Sequence, residues 1–419
     1  MNSKNLFGLL IITILFFGCI DPTPIEKQVL DDSKSTAVGV NETVKGNNEF
    51  ALEMYSELNK ESENLFFSPW SISSALAMTF EGAKGQTKEE MKNVLHLQEN
   101  DLERRSGFAK IYNLLNKNNS EYELSTANAL WAQKNYPFLE DYVNTTKKYY
   151  SAEFTNMDFI GKTEESRKTI NSWVEKQTND KIKNLIPEGI LNPLTRLVLT
   201  NAIYFKGDWE IQFDKTKTKK QDFKVNENTT VQVDMMSLKK GSEEFNYAET
   251  NELQVLQMNY KGNELSMIVL LPKNSISEVE SMLSAEKLEE WKKSMHERDV
   301  YVYFPKFVFE TKYLIADNLK EMGMPTAFSD TQTDFTGMYD ANKTMENIFI
   351  SHVIHQAFVQ VDEEGTEAAA ATAVVMKAMS AGPMDIPEFK ADHPFIFLIQ
   401  ENSTGSILFI GKVVDPTAG

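Results

Sequence analysis

The stretch HQAFVQVDEEGTEAAAATAVVM, residues 355–376, holds the pattern on which the reading of this chain turns. Extended from Thr366, it would place Thr366, Ala368, Ala370, Thr372, Val374 and Met376 on one face, because side chains alternate along a strand. All six are uncharged and most are small. Glu367 and Lys377 fall on the opposite face, where water tolerates charge. Gly365 stands just before, at a point where a bend benefits from glycine's backbone freedom. Alanine-rich sequence has little β-propensity of its own, so the same residues also fit a helix-prone surface segment. That second reading leaves the placement of the glycine and of the charges unexplained.

Outward from this stretch the chain mixes helix and strand signals. HPFIFLIQ and SILFIGKVV read as a hairpin around the polar turn Glu401–Gly405. LVLTNAIYF (197–205) and LSMIVLLP (265–272) are near-continuous apolar runs of strand length, as buried central strands should be. VYVYFPKFVFE (300–310), rich in β-branched and aromatic residues, reads as a further strand. Helical spacing marks 47–59, through Phe50, Leu52, Met54, Tyr55 and Leu58, and 163–178, through Ile170, Trp173 and Val174. Thr87 and Glu90 have the spacing of a capping box ahead of Met91, Val94 and Leu95, predicting a helix start there. Helices come mostly first and strands later, so the expected class is α+β.

The chain has 419 residues, 41% hydrophobic and 25% charged, enough for a large core. Length alone suggests two or three domains, yet no linker divides the chain between about Asn47 and Pro416. The expected organisation is a signal segment over 1–18, a flexible tether over 19–46 and one domain over 47–419. The net charge of −18 argues against a nucleic-acid partner, since binding phosphates needs a basic surface. Lys4 precedes the apolar run Leu6–Phe17, too short for a membrane span and normal for a secretory signal. Gly18-Cys19 follows, and Cys19 is the sole cysteine, so no disulfide can form within the chain.

Several chemistries lack their residues. Five scattered histidines (His96, His296, His352, His355, His393) and one cysteine assemble no zinc site of ordinary spacing. There is no G-x-S-x-G elbow, no H-E-x-x-H, no phosphate-binding G-x-x-x-x-G-K and no dinucleotide fingerprint. No cofactor is expected, and nothing supports an enzyme. Arg104, Arg105, Lys110 and Lys117 lie among acidic neighbours, which argues against a glycosaminoglycan site over 101–118, and the Lys-rich turn 215–220 reads as a solvated loop.

Six segments, in order, resemble the serpin family: NLFFSPWSISSALAMTFEGAKGQTKEEM (64–91), LTNAIYFKGDWE (199–210), Met235-Met236, YFPKF (303–307), DFTGM (334–338), and the opening stretch with ADHPFIFLIQENSTGSILFIGKVVDP after it. The resemblance runs from about residue 47 to the end. It implies the serpin fold: three β-sheets, eight or nine helices and an exposed reactive-centre loop. It also implies a suicide-substrate inhibitor of serine proteases. The loop is cut, the protease stays attached as an acyl-enzyme, and the loop enters the central sheet as a new strand. The hinge of that loop would be Glu363, Glu364, Gly365, Thr366, Glu367, Ala368, Ala369, Ala370 and Ala371. Ser68, Ser71, Asn201 and His355 match the family's polar cluster under the sheet, the shutter. Trp209, Lys306 and Glu363 match the breach, where the loop first enters, with a Lys306–Glu363 ion pair expected. Counting seventeen residues from Glu363 puts the reactive bond at Met379–Ser380. Lys377 is the alternative. Methionine suits elastase-, chymotrypsin- or subtilisin-like proteases, in a covalent complex with a monomeric inhibitor. The N-terminus resembles a prokaryotic lipoprotein signal, which implies lipidation of Cys19 and a secreted protein on a membrane anchor. An uncleaved signal anchor or a simple secretory signal are the alternatives there. A non-inhibitory binding or chaperone protein is the alternative for the whole, although the hinge follows the inhibitory pattern throughout.

Overall fold

The structure, a computed structural model, describes residues 28–59, 63–117, 121–238, 244–366 and 386–418. Their strands form three sheets. The first is antiparallel throughout, in the order β1 (Leu65–Phe67), β17 (Ile407–Val413), β16 (Phe395–Glu401), β9 (Leu265–Pro272), β8 (Leu253–Asn259), β7 (Glu244–Glu249) and β10 (His296–Asp299). The second has the order β12 (Phe307–Leu314), β13 (Ile354–Val361), β14 (Gly365–Thr366), β4 (Leu197–Asp208), β2 (Tyr122–Gln133) and β3 (Glu153–Met157). The third is β15 (Glu388–Lys390), β11 (Tyr301–Pro305), β6 (Thr229–Leu238) and β5 (Lys219–Asn226). Among the described residues there are nine α-helices: α1 (Ala37–Leu58), α2 (Pro69–Phe80), α3 (Gly85–Val94), α4 (Asp101–Leu115), α5 (Glu140–Tyr150), α6 (Thr163–Gln177), α7 (Ile276–Met282), α8 (Ala285–Ser294) and α9 (Ala316–Glu321). The expected α+β class, three sheets and helix count are all found.

Apolar runs decide the centre. β9, β16 and β17 are buried along their whole length, which is why their sequences show no alternation. Helix α2, buried at every position, sits between sheets rather than on the surface. Ser68 caps it, its hydroxyl accepting from the Ser71 amide at 3.2 Å, and Pro69 opens it where a missing N–H costs nothing.

Three local expectations fail, each for a tertiary reason. The first helix starts at Ala37 rather than Asn47, capped by Thr36, whose hydroxyl accepts from the Gly39 amide at 2.9 Å. The folded body therefore includes much of the expected tether over 19–46. Gly39 and Gly46 look like helix breakers, but α1 needs them small. A Cβ on Gly46 would lie 2.4 Å from the His96 carbonyl oxygen, and on the facing α4 a Cβ on Gly107 would lie 2.3 Å from the Thr43 hydroxyl. The capping box at Thr87–Glu90 does not form. Helix α3 begins earlier, at Gly85, and both side chains are claimed by residues distant in sequence: Thr87 accepts from the Asp334 amide, and Glu90 from the Thr326 amide and hydroxyl. The single strand read over 300–310 is two strands in different sheets, β11 and β12, parted at Lys306.

Candidate functional site

The second sheet forks. Low down, β13 and β4 pair directly and in parallel, His355 with Asn201, Gln356 with Ala202 and Ala357 with Ile203. The same register would put Val361 level with Gly207. There the two strands stand one strand apart, and Thr366 fills the gap, paired antiparallel to both. Gly365 and Thr366 of the expected hinge are thus already in the sheet.

A tight turn delivers them. Asp362 accepts from the Glu364 amide at 2.9 Å and the Gly365 amide at 3.3 Å, folding β13 back into β14. Gly365 lies so close to β4 that a Cβ would meet the Gly207 carbonyl oxygen at 2.1 Å, so only glycine fits. Thr366, 2% exposed, points inward with its hydroxyl 2.8 Å from that of Tyr260. The Tyr260 ring stacks on Trp209, 4.7 Å between centroids and 13° between planes.

Trp209 holds the turn from outside the fork. Its amide donates to the Glu364 carbonyl at 2.7 Å and its indole N–H to the Asp362 carbonyl at 3.0 Å. Glu363 is buried, and its carboxylate receives the Lys306 ammonium at 2.6 Å and the Thr218 hydroxyl at 2.6 Å. Burial alone would raise its pKa. The ion pair and the hydroxyl outweigh burial and hold it below the ordinary carboxylate range, so Glu363 stays charged. Trp209, Lys306 and Glu363, named from the sequence, therefore meet at one point. Lys215 joins them by pairing with Glu364, so the Lys-rich turn is not merely solvated.

Below the fork lies a buried polar cluster. His355 Nε2 accepts from the Ser68 amide at 3.0 Å, which leaves the proton on Nδ1 to donate to Asn201 Oδ1 at 3.1 Å. Asn201 Nδ2 lies 2.5 Å from both the Ser71 carbonyl and hydroxyl oxygens and 2.8 Å from Asn128 Oδ1. The Ser68 hydroxyl donates to the Leu408 carbonyl at 2.6 Å, which ties the cluster to β17 in the neighbouring sheet. Ser68, Ser71, Asn201 and His355 are thus brought together in the rows where β13 and β4 still touch.

Burial drives the His355 pKa down to about 3, so the ring is neutral at physiological pH. Unfolded, it would take a proton near 6.5, so the folded state binds fewer protons between these values. Stability contributed by neutral His355 is complete above about 6.5 and is lost as pH falls toward 3, at up to ~1.4 kcal/mol per pH unit. His352, exposed at the surface, is lowered in the same direction by partial desolvation and by nearby Lys320. His393 is shifted up, so its contribution does not change below its unfolded pKa. Urea titrations at several pH values should show the intact chain weakening from pH 6 to 4, with a shallower slope in His355→Gln. Equal slopes would remove His355 as the cause.

Asn128, Thr218, Lys215, Asp362 and Tyr260 were not foreseen. A signal existed for Asn128, a polar residue inside a strand, and for Asp362, three residues before Gly365 as in a turn. Glu367, Ala368, Ala369, Ala370, Ala371, Lys377, Met379, Ser380 and Cys19 lie outside the described residues. Among the described residues, no group of three or more His, Cys, Asp or Glu side chains is placed to hold a metal ion.

Residues 45–416 match the family profile described as Serpin (serine protease inhibitor). A serpin-like protein of Methanosarcina acetivorans is 43% identical, with 99% of each chain covered. Human Serpin B4 is 43% identical over 90% of this chain and all of its own. Among solved structures, human thyroxine-binding globulin aligns with a TM-score of 0.80 at 33% identity, and uncleaved ovalbumin with 0.79 at 31%, each over 90% of this chain and 100% of the other. With a forked sheet, three-sheet architecture and these likenesses over nearly its whole length, the chain belongs to the serpin family.

Proposed function

We propose that this serpin is an inhibitor of serine proteases that acts once, as a suicide substrate, by drawing its cut loop into the fork between β13 and β4. The observation that carries this reading is the seating of Gly365 and Thr366 as a strand between β13 and β4, in register with both. The next strand then needs no search for its place. Continued one residue per row, the same pairing would bring Thr372 level with His355 and Asn201, and Met376 level with Leu197 at the foot of β4. Each inward position after Thr366 carries a small or uncharged side chain, so no charge would enter beneath the sheet. The His355–Asn201 bond would have to part, and the Thr372 hydroxyl, donor and acceptor at once, could replace it on both sides.

The reactive bond on this reading is Met379–Ser380, presented to an elastase-, chymotrypsin- or subtilisin-like enzyme whose apolar primary pocket takes methionine. The inhibitor would be a monomer outside the cell, anchored by lipid on Cys19. Leu30, the first buried residue among those described, is 11 residues further on, which limits the body to within about 35–40 Å of the anchor.

Incubation with a panel of such proteases should give a band of inhibitor plus protease that survives boiling in SDS. Mass spectrometry of the released C-terminal fragment should find Ser380 first. A fragment starting at Ala378 would move the reactive bond to Lys377. Cleavage by every protease without a stable band would favour a binding or chaperone protein.

A further inference from the structure

Residues 28–36 do not hang free of the body. Leu30 is 3% exposed, and its backbone is held at both ends by one side chain: its amide donates to Asn113 Oδ1 at 2.9 Å, and Asn113 Nδ2 donates to its carbonyl at 2.9 Å. Asn113 belongs to α4. One residue later the chain grips α5, where the Asp31 amide donates to the Lys148 carbonyl at 3.1 Å and the Asp31 carboxylate meets the Lys148 ammonium at 2.8 Å. Lys148 lies in the last turn of α5, whose carbonyls have no partner within the helix, so the segment also caps it. Asp32 pairs with Lys110 of α4 at 3.2 Å. Beyond Thr36 the chain enters α1, which is fixed to the first sheet: Asn47 Nδ2 donates to the Ile407 carbonyl, and Asn48 Oδ1 accepts from the Ile407 amide, both at 2.9 Å.

The helices gripped are not arbitrary. In the chain α4 runs on to β2, and α5 to β3, and these two strands lie with β4 on one side of the fork. For a new strand to pass between β13 and β4, that group must move away from β13 and so relative to the first sheet. We propose that residues 28–36 are a clip between the two moving parts, with Leu30 and Asn113 as its positioning residues, and that it delays insertion of the uncut loop. The clip rests on the inhibitory reading, because only a chain with an insertable loop has such a transition to delay.

Three chains test it: the full chain, a chain beginning at Thr36, and the full chain with Asn113→Ala. Each is held at elevated temperature while its capacity to form the covalent complex is followed in time. Each is also melted uncut and after loop cleavage. We expect both altered chains to lose complex-forming capacity at least ten times faster, passing into a more heat-stable uncut form. Their melting points should fall mainly in the uncut state. Should the shortened chain fail to fold, Asn113→Ala decides alone. Unchanged rates, or equal penalties in the cut and uncut states, would overturn the clip and leave an ordinary anchor. A full chain that gains no stability on cleavage would instead overturn the inhibitory reading and remove the clip's role with it.

Discussion

Cleavage within residues 367–385 should raise the thermal unfolding midpoint by about 10 °C or more, although a nick usually weakens a protein. The seated strand β14 is only two residues long, whereas the register leaves room for ten more beside β4, from Glu367 to Met376. Filling those rows completes ladder bonds on both sides, on the order of 10 kcal/mol in net terms at about 1 kcal/mol each. Against an unfolding entropy of ~2 cal/mol/K per residue, roughly 0.8 kcal/mol/K for the folded body, that gives about 10–15 °C. Some is returned, because the three direct pairs between β13 and β4 and the His355–Asn201 bond must open. Burial of alanine, valine and methionine beneath the sheet works the other way. Differential scanning calorimetry of cut and uncut chain checks this. An unchanged or lower midpoint after cleavage would show that the fork does not accept the loop.

How far the sequence reveals this arrangement depends on whether the determining contacts are local. The buried strands β9, β16 and β17 can be read from composition because a strand covered on both faces must be apolar at every position. The cluster of Ser68, Ser71, Asn201 and His355 cannot be read that way. Ser68 and Ser71 are neighbours on one helix start, but the bonds that join them to Asn201 and His355 span 130 and 287 residues, and only the family resemblance connects these. Tyr260 escapes notice for a different reason. It is one buried aromatic among many, and only the close approach of β14 gives its hydroxyl a partner in Thr366. The segment before Ala37 has the composition of a tether, with one leucine that matters. Asn113 recognises its backbone rather than its side chains, so no sequence pattern announces the contact. Lys215 and Thr218 were lost inside a run of lysines that looks merely hydrated, although they fasten Glu364 and Glu363.

Thr366→Arg should abolish inhibition while leaving the loop cleavable. Thr366 occupies the row between Val361 and Gly207, 2% exposed, with Tyr260 directly beneath. The described contacts at that spot offer hydroxyls, aromatic rings and paired backbone, and no carboxylate. A guanidinium there would be buried without a counter-charge, at a cost of several kcal/mol, which exceeds what the two paired residues of β14 contribute at about 1 kcal/mol per bond. The hinge would therefore leave the fork, and the cut loop would lack its seated start. Hydrolysis of the acyl bond would then outrun insertion, so the moles of inhibitor consumed per mole of protease should rise more than tenfold and the SDS-stable band should vanish. Two further substitutions separate this cause from general damage. Thr366→Ser keeps the hydroxyl on Tyr260 and should inhibit nearly as the wild type does. Glu367→Arg places the same cation one residue on, on the face that alternation turns to solvent, and should be tolerated. If Thr366→Arg inhibits normally, insertion through this fork is not the mechanism. If Glu367→Arg fails as badly, the alternation inferred from Thr366 is wrong, and the loop enters in a different register.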